Sequence, residues 1–179
     1  MSLVTDCTVL PDHIVQACNN YRKGGISAIA IIDPDAGISD FTSPTDWQTA
    51  IDAGLVKIIK NIKATFPKAS AVEGENVVPC SADKMLDGFD GSVTWKDFNV
   101  NGGNDDFYAQ LNLKRSYIAF FYCNENEIRL IDKLCNFNVP YASSPETNKE
   151  KQMYEATANW FAPIGWFPSL FAAPTGIFS

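Results

Sequence analysis

The sequence predicts an α+β domain of mainly antiparallel strands with two or three helices. Three features carry that expectation: short β-branched runs closed by turn residues, a hairpin around a polar tetrapeptide, and brief helical stretches opened by capping residues. At 179 residues one domain is the default, and such a chain buries roughly 70 % of its unfolded surface without a disulfide or metal staple. An apolar fraction of 46 % against 20 % charged residues excludes a disordered, solvating chain.

Taken in order, Asp12 to Tyr21 after Pro11 has the make-up of a short helix, ended by Lys23-Gly24-Gly25. Ile26 to Ile32 (ISAIAII) reads as a buried strand closed by Asp33-Pro34. Thr45-Asp46 can cap a second short helix that sets Trp47 and Ile51 one turn apart and stops at Gly54. Leu55 to Phe66 fits a helical stripe and a strand equally, but its β-branched content and the preceding glycine favour a strand with a bulge. Val77-Val78 is a short strand candidate. From Ser92 to Val100 the apolar phase changes after Trp95, as a bulge at Lys96-Asp97 would produce. Asn101 to Asn104 is a turn, and Asp105-Asp106 opens a helix with Phe107 and Leu111 inward. Tyr117–Cys123 and Ile128–Asp132 form the clearest hairpin, Val139–Lys149 a polar loop, and Met153–Trp160 a last strand.

The C-terminus stands apart. Ala156 to Ser179 holds no charge but six large aromatics, Trp160, Phe161, Trp166, Phe167, Phe171 and Phe178. Pro163, Pro168 and Pro174 break it too often for a membrane helix, whose freed backbone groups a bilayer cannot satisfy. The expected organisation is therefore a domain over 1–155 and an extended aromatic arm over 156–179. Each buried aromatic is worth roughly 2–3 kcal/mol, so these rings must pack, either on their own domain or on a neighbouring copy. All six are candidate subunit-interface residues.

Catalytic chemistry finds little to work with. His13 is the single imidazole, placed in a first helical turn where solvation is the plain reading. Five cysteines, Cys7, Cys18, Cys80, Cys123 and Cys135, lack both disulfide parity and zinc-type pairing, and Cys123 in its apolar run reads as a small core residue. Asp33-Pro-Asp35-Ala-Gly37 begins like a calcium loop but has no twelfth-position Glu, and Asn101–Asp106 is a second oxygen-rich loop that turn geometry explains. Glu125 and Glu127 flank a hairpin tip, where nothing raises a carboxyl for acid catalysis. Phosphate-cradling glycine motifs are absent. Lys and Arg total 14 against 21 Asp and Glu, a net charge of −7, which argues against a phosphate-tracking nucleic-acid binder. The N-terminus has neither the basic nor the apolar region of a signal peptide, and no N-glycosylation sequon occurs, so synthesis inside a cell is expected. No catalytic, cofactor-binding or metal-ligating residue is assigned, and the chain is expected not to be an enzyme.

Cys18–Ile32 (CNNYRKGGISAIAII) and Asp46–Gly54 (DWQTAIDAG) resemble the opening of virion structural proteins of tailed bacteriophages. Lys57–Ala64, and later a helix followed by the Tyr117–Asp132 hairpin, are similar in order to tail-tube-like proteins. That resemblance implies a β-sandwich or barrel with a flanking helix, homo-oligomeric assembly into hexameric rings, and arms bridging to adjacent rings and other virion proteins. It implies a virion location after synthesis in the host cytoplasm, with no cofactor, no sequence-specific nucleic acid and no membrane. Two rival readings follow from the residues alone. One is a small metal-dependent hydrolase or transferase using Asp33, Asp35, Asp105 and Asp106. The other is a monomeric ligand-binding β domain with Trp47, Trp95 or Trp160 as a stacking platform.

Overall fold

The computed structural model describes residues 25–74, 85–123, 125–143 and 152–178. The expected helix over Asp12–Tyr21, the Val77-Val78 strand, His13, Cys7, Cys18 and Cys80 lie outside the described residues.

The chain runs β1 (Ile26–Ile32), α1 (Pro44–Asp52), β2 (Val56–Thr65), β3 (Ser70–Gly74), β4 (Met85–Asp97), α2 (Gly102–Leu111), β5 (Arg115–Tyr122), β6 (Glu127–Asn138), β7 (Tyr154–Pro163) and β8 (Ser169–Ala172). Every strand pairing is antiparallel. The order β2-β1-β5-β6-β7-β4 closes on itself through β2–β4, giving a six-stranded barrel; β3 extends from β4, and β8 pairs with β6. Closure leaves these six strands no open pairing edge along the seam, the general advantage of a barrel. The closing seam is short, confined to Lys63–Thr65 of β2 against Thr94–Lys96 of β4, and it sets Lys63 opposite Lys96. Like charges directly opposed across a strand pair are unfavourable; Lys63 lies 6.0 Å over the Phe98 ring and Lys96 3.9 Å from Glu155.

Two apolar layers form. Ile29 and Ile31 of β1, Ile118 and Phe120 of β5, Ile131 of β6, Val93 and Trp95 of β4 and Trp160 of β7 fill the interior. The alternate residues of three strands, Ala28, Ala30, Ala119, Phe121, Ile128 and Leu130, form an outer layer with Trp47 and Ala50 of α1 and with Ala173, Ile177 and Phe178. Strands β1 and β5 are thus buried on both faces, which is why they read as continuous apolar runs, while β6 joins both layers through Ile128, Leu130 and Ile131.

Local chemistry sets each element. α1 begins two residues earlier than Thr45-Asp46: Ser43 is the N-cap and Pro44 opens the helix, where its missing N–H costs nothing. The Ser43 hydroxyl accepts from Asp46 N–H at 3.3 Å and donates to its carboxylate at 3.2 Å. Gly54 at φ +76° ends the helix. β2 is a strand, and Asn61 at φ +59° marks the irregularity where its register with β1 shifts. No bulge occurs at Lys96-Asp97: β4 pairs β7 in unbroken register from Gly88 to Asp97, and the phase change is simply the end of the strand. α2 starts at Gly102 rather than Asp105, with the Asn101 side chain accepting from Asn104 N–H. The hairpin is present and longer than expected, as β5 and β6. Cys123 lies just past the end of β5 and is exposed, a correction to its core assignment; Cys135 faces the interior and is buried. Burial pushes the Cys135 thiol up to about 12.

Candidate functional site

The six aromatics of the C-terminal segment separate by position. β7 runs from Tyr154 through Pro163, so residue 156 lies inside a barrel strand, paired with β4 along its length. Trp160 enters the interior, against Phe66 at 5.9 Å, and its indole lies over Gly91, where a Cβ would collide with it. Phe178 sits in the outer layer, 5.2 Å from both Trp47 and Phe121. Phe171 stacks on Phe41 at 5.4 Å. Trp166 packs against the interior cluster, and its Nε1 donates to Asp132 at 2.7 Å. Phe161 and Phe167 remain exposed, Phe167 by 82 %.

Leu86, Ile164 and Leu170 are exposed apolar residues like Phe161 and Phe167. The strand pairings put Leu170 and Phe161 toward the barrel end where β5 finishes and β6 begins, β8 pairing with Glu127–Leu130 and Phe161 with Asp90. A second exposed pair, Leu113 (87 %) and Tyr141 (92 %), lies at the opposite end. There the Asn112 side chain joins the turn after α2 to the end of β6, donating to Val139 C=O at 2.8 Å and accepting its N–H at 2.7 Å. Between the two ends the outer faces of β4 and β7 are polar, with Thr94 and Thr157 in hydrogen-bond contact at 3.1 Å. Leu86, Ile164, Leu170, Leu113 and Tyr141 carried no signal in the sequence, since an isolated apolar residue beside a turn looks the same whether it faces in or out.

The α2 end is closed by a polar network. Tyr108 donates to the buried Asp97 carboxylate at 2.9 Å and accepts from Trp95 Nε1 at 3.4 Å. Asp97 also accepts from Asn99 N–H at 2.9 Å. Tyr154, its ring 4.5 Å from that of Tyr108, donates to Asp105 at 2.7 Å and reaches the Asn101 carbonyl at 3.2 Å. Burial is the main force raising Tyr108 well above its ordinary value; the Trp95 N–H opposes this and the Asp97 charge adds to it. Burial, then the Asp105 hydrogen bond, pushes Tyr154 up to about 12. These side chains hold α2 over the barrel mouth.

Trp47 and Trp95 are fully buried and Trp160 nearly so, which corrects their assignment as stacking platforms: each ring has protein on both faces and none to offer a ligand. Asp33 Oδ1 accepts Asp35 N–H at 3.1 Å in a local turn, while Asp105 is engaged by Tyr154. Among the described residues no group of three or more His, Cys, Asp or Glu side chains is arranged to hold a metal ion. No helix among them is long and apolar enough to cross a membrane. Comparison with protein-family models, with curated proteins and with solved structures finds no match.

Proposed function

We propose that this chain is a non-enzymatic structural subunit that self-assembles, a tail-tube-like component of a tailed-bacteriophage virion. The supporting observation is the set of exposed large apolar residues toward opposite ends of one barrel, Phe161, Ile164 and Phe167 toward one and Leu113 and Tyr141 toward the other. Two unlike ends favour head-to-tail contact, which closes into rings if the rotation allows and extends into filaments if it does not. Burying these five side chains yields on the order of 8–15 kcal/mol gross, comparable to the 4–15 kcal/mol or so that association costs. Assembly is therefore concentration-dependent. Phe161 and Phe167 are the arm residues that reach a neighbouring copy, while Trp160 and Phe178 pack within their own subunit. The partners are further copies, in rings that are hexameric in the resembled family, together with other virion proteins.

Light-scattering mass across a concentration series, with negative-stain microscopy, tests the proposal. The full chain should grow into rings or tubes. Phe167→Asp and Tyr141→Asp should each abolish growth, because each removes one half of the same contact. Mixing the two variants should restore a dimer and nothing larger, since one good end survives on each. A monomer at all concentrations up to about 1 mM, where a net association energy of about 4 kcal/mol would already show, sinks the proposal.

A further inference from the structure

We propose that Arg129 is the polar centre of the contact between successive copies of this chain, where it takes the Asp106 carboxylate of the next copy. The inference rests on the self-assembly proposed above and names the charge pair that fixes its register. Ile128 and Leu130 of β6 belong to the outer layer, so Arg129 between them turns to the inner side. There its guanidinium lies 5.9 Å over the Phe66 ring and 5.9 Å over the Tyr122 ring. Its Nε is buried without a hydrogen-bond partner, and Arg129 forms no ion pair among the described residues. Glu127, two positions earlier on the same side of β6, forms none with it either. Two aromatic faces attract a cation but supply no opposite charge. A partly buried guanidinium held in that way is short of an anion.

The surroundings of Arg129 favour a second copy over a free anion. Leu170 of β8 pairs directly with it and is exposed, and Phe161 is exposed toward the same barrel end. A small anion would leave these side chains in water; another copy covers them and the cation together. Arginine among large apolar side chains is the usual make-up of the energetic centre of an interface. The acidic half lies at the opposite end. Asp106 is exposed on α2, and its carboxylate has no hydrogen bond or ion pair among the described residues. It precedes the exposed Leu113 by about two turns, or roughly 10 Å along the helix direction. Other carboxylates at this end are occupied: Asp97 and Asp105 accept from Tyr108 and Tyr154, and Glu155 lies 3.9 Å from Lys96. A head-to-tail contact that uses Leu113 therefore carries Asp106 with it, toward an end that holds an unpaired cation.

The test is a double-mutant cycle on the full chain, read by light scattering as the concentration of half-assembly. Arg129→Met keeps an unbranched stem among the rings, and Asp106→Asn keeps the shape of its side chain. Each should raise the half-assembly concentration about 30-fold, the loss of one charge-assisted hydrogen-bonded pair. The two together should do no more than either alone, the mark of direct coupling. Asp35→Asn, beyond the end of β1 on the same side as Asp106, should change nothing. Arg129→Met should also leave the thermal midpoint of the dilute monomer no lower than wild type, because it removes a buried N–H without a partner. A lower midpoint with unchanged assembly, an equal loss in Asp35→Asn, or losses that simply multiply in the double variant overturns the pair while self-assembly stands. A wild-type chain that never assembles overturns both.

Discussion

Replacing Tyr108 by Phe isolates one oxygen in the network that seats α2. The ring stays, so its packing against Tyr154 at 4.5 Å is kept and no cavity forms. What disappears is the donor to Asp97 Oδ2 at 2.9 Å and the weaker acceptor for Trp95 Nε1 at 3.4 Å. Asp97 is only 7 % exposed, so water cannot readily replace the lost donor. Its other oxygen keeps the Asn99 N–H. A hydrogen bond to a charged group is worth about 1.5–3 kcal/mol, and stranding the indole N–H adds a fraction more; a loss of about 2–3 kcal/mol follows. Tyr154→Phe provides the control. It also removes a short bond, 2.7 Å to Asp105, but Asp105 is exposed and water takes over, so about 1 kcal/mol or less is expected. Urea unfolding followed by fluorescence reads the difference: with a slope of roughly 2 kcal/mol/M, Tyr108→Phe should lower the midpoint by about 1–1.5 M. Placing it in an Asp97→Asn background should shrink the loss, since the charged acceptor is gone. A Tyr108→Phe midpoint within about 0.2 M of wild type, or a larger loss in Tyr154→Phe, refutes the burial argument.

Three further outcomes follow from the packing and the titrations. Both buried tyrosines have folded values raised above the ordinary 10.0, so their contribution is complete below pH 10 and lost as pH climbs, through about 12 for Tyr154; tyrosinate absorbance should show a component that lags until alkaline unfolding and that shrinks in Tyr154→Phe. Gly88→Ala should cost about 1–3 kcal/mol, because its Cβ would lie 2.5 Å from the Ala162 carbonyl, which cannot move without breaking the β4–β7 ladder; a neutral thermal midpoint contradicts the geometry. Phe178→Ala should cost about 3–5 kcal/mol in denaturant unfolding, as the ring is enclosed by Trp47 and Phe121; no loss in a monomeric sample means the C-terminus does not pack on its own barrel.

Elements were legible where local chemistry and burial agreed. Ile26–Ile32, closed by Asp33-Pro34, could only be a buried strand, and the β5–β6 hairpin was evident because two apolar runs flank a polar tip. The Leu55–Phe66 segment was harder, because Asn61 in a left-handed conformation shifts the register and gives a strand the spacing of a helical stripe. Lys96-Asp97 misled in the other direction: a phase change can mean a bulge or an end, and only the uninterrupted β4–β7 ladder distinguishes them. Cys123 had an apolar run before it, but it falls one residue past β5, where the chain turns into solvent. The setting of Arg129 left no trace in the sequence, because the Phe66 and Tyr122 rings flank it only once the barrel has closed.

The C-terminal segment shows a signal that was present in the residues. A strand in a one-layered barrel alternates, apolar inward and polar outward. β1 does not alternate, and neither does β5 from Ile118 to Phe121. Such strands need a second layer on the outside, and the small outward residues Ala28, Ala30 and Ala119 leave room for large rings there. α1 supplies Trp47 and Ala50, too little to cover three strands. The only other stretch with enough uncharged aromatic mass is the C-terminal one, and Ile177 and Phe178 occupy that place. Trp160 lies inward over Gly91 and Phe178 packs in the Ala-bearing outer layer, both held within the chain, whereas Phe161, whose ring crosses Gly88, stays exposed on β7. Phe167, in the turn region between β7 and β8, also stays outside and is free to meet another molecule.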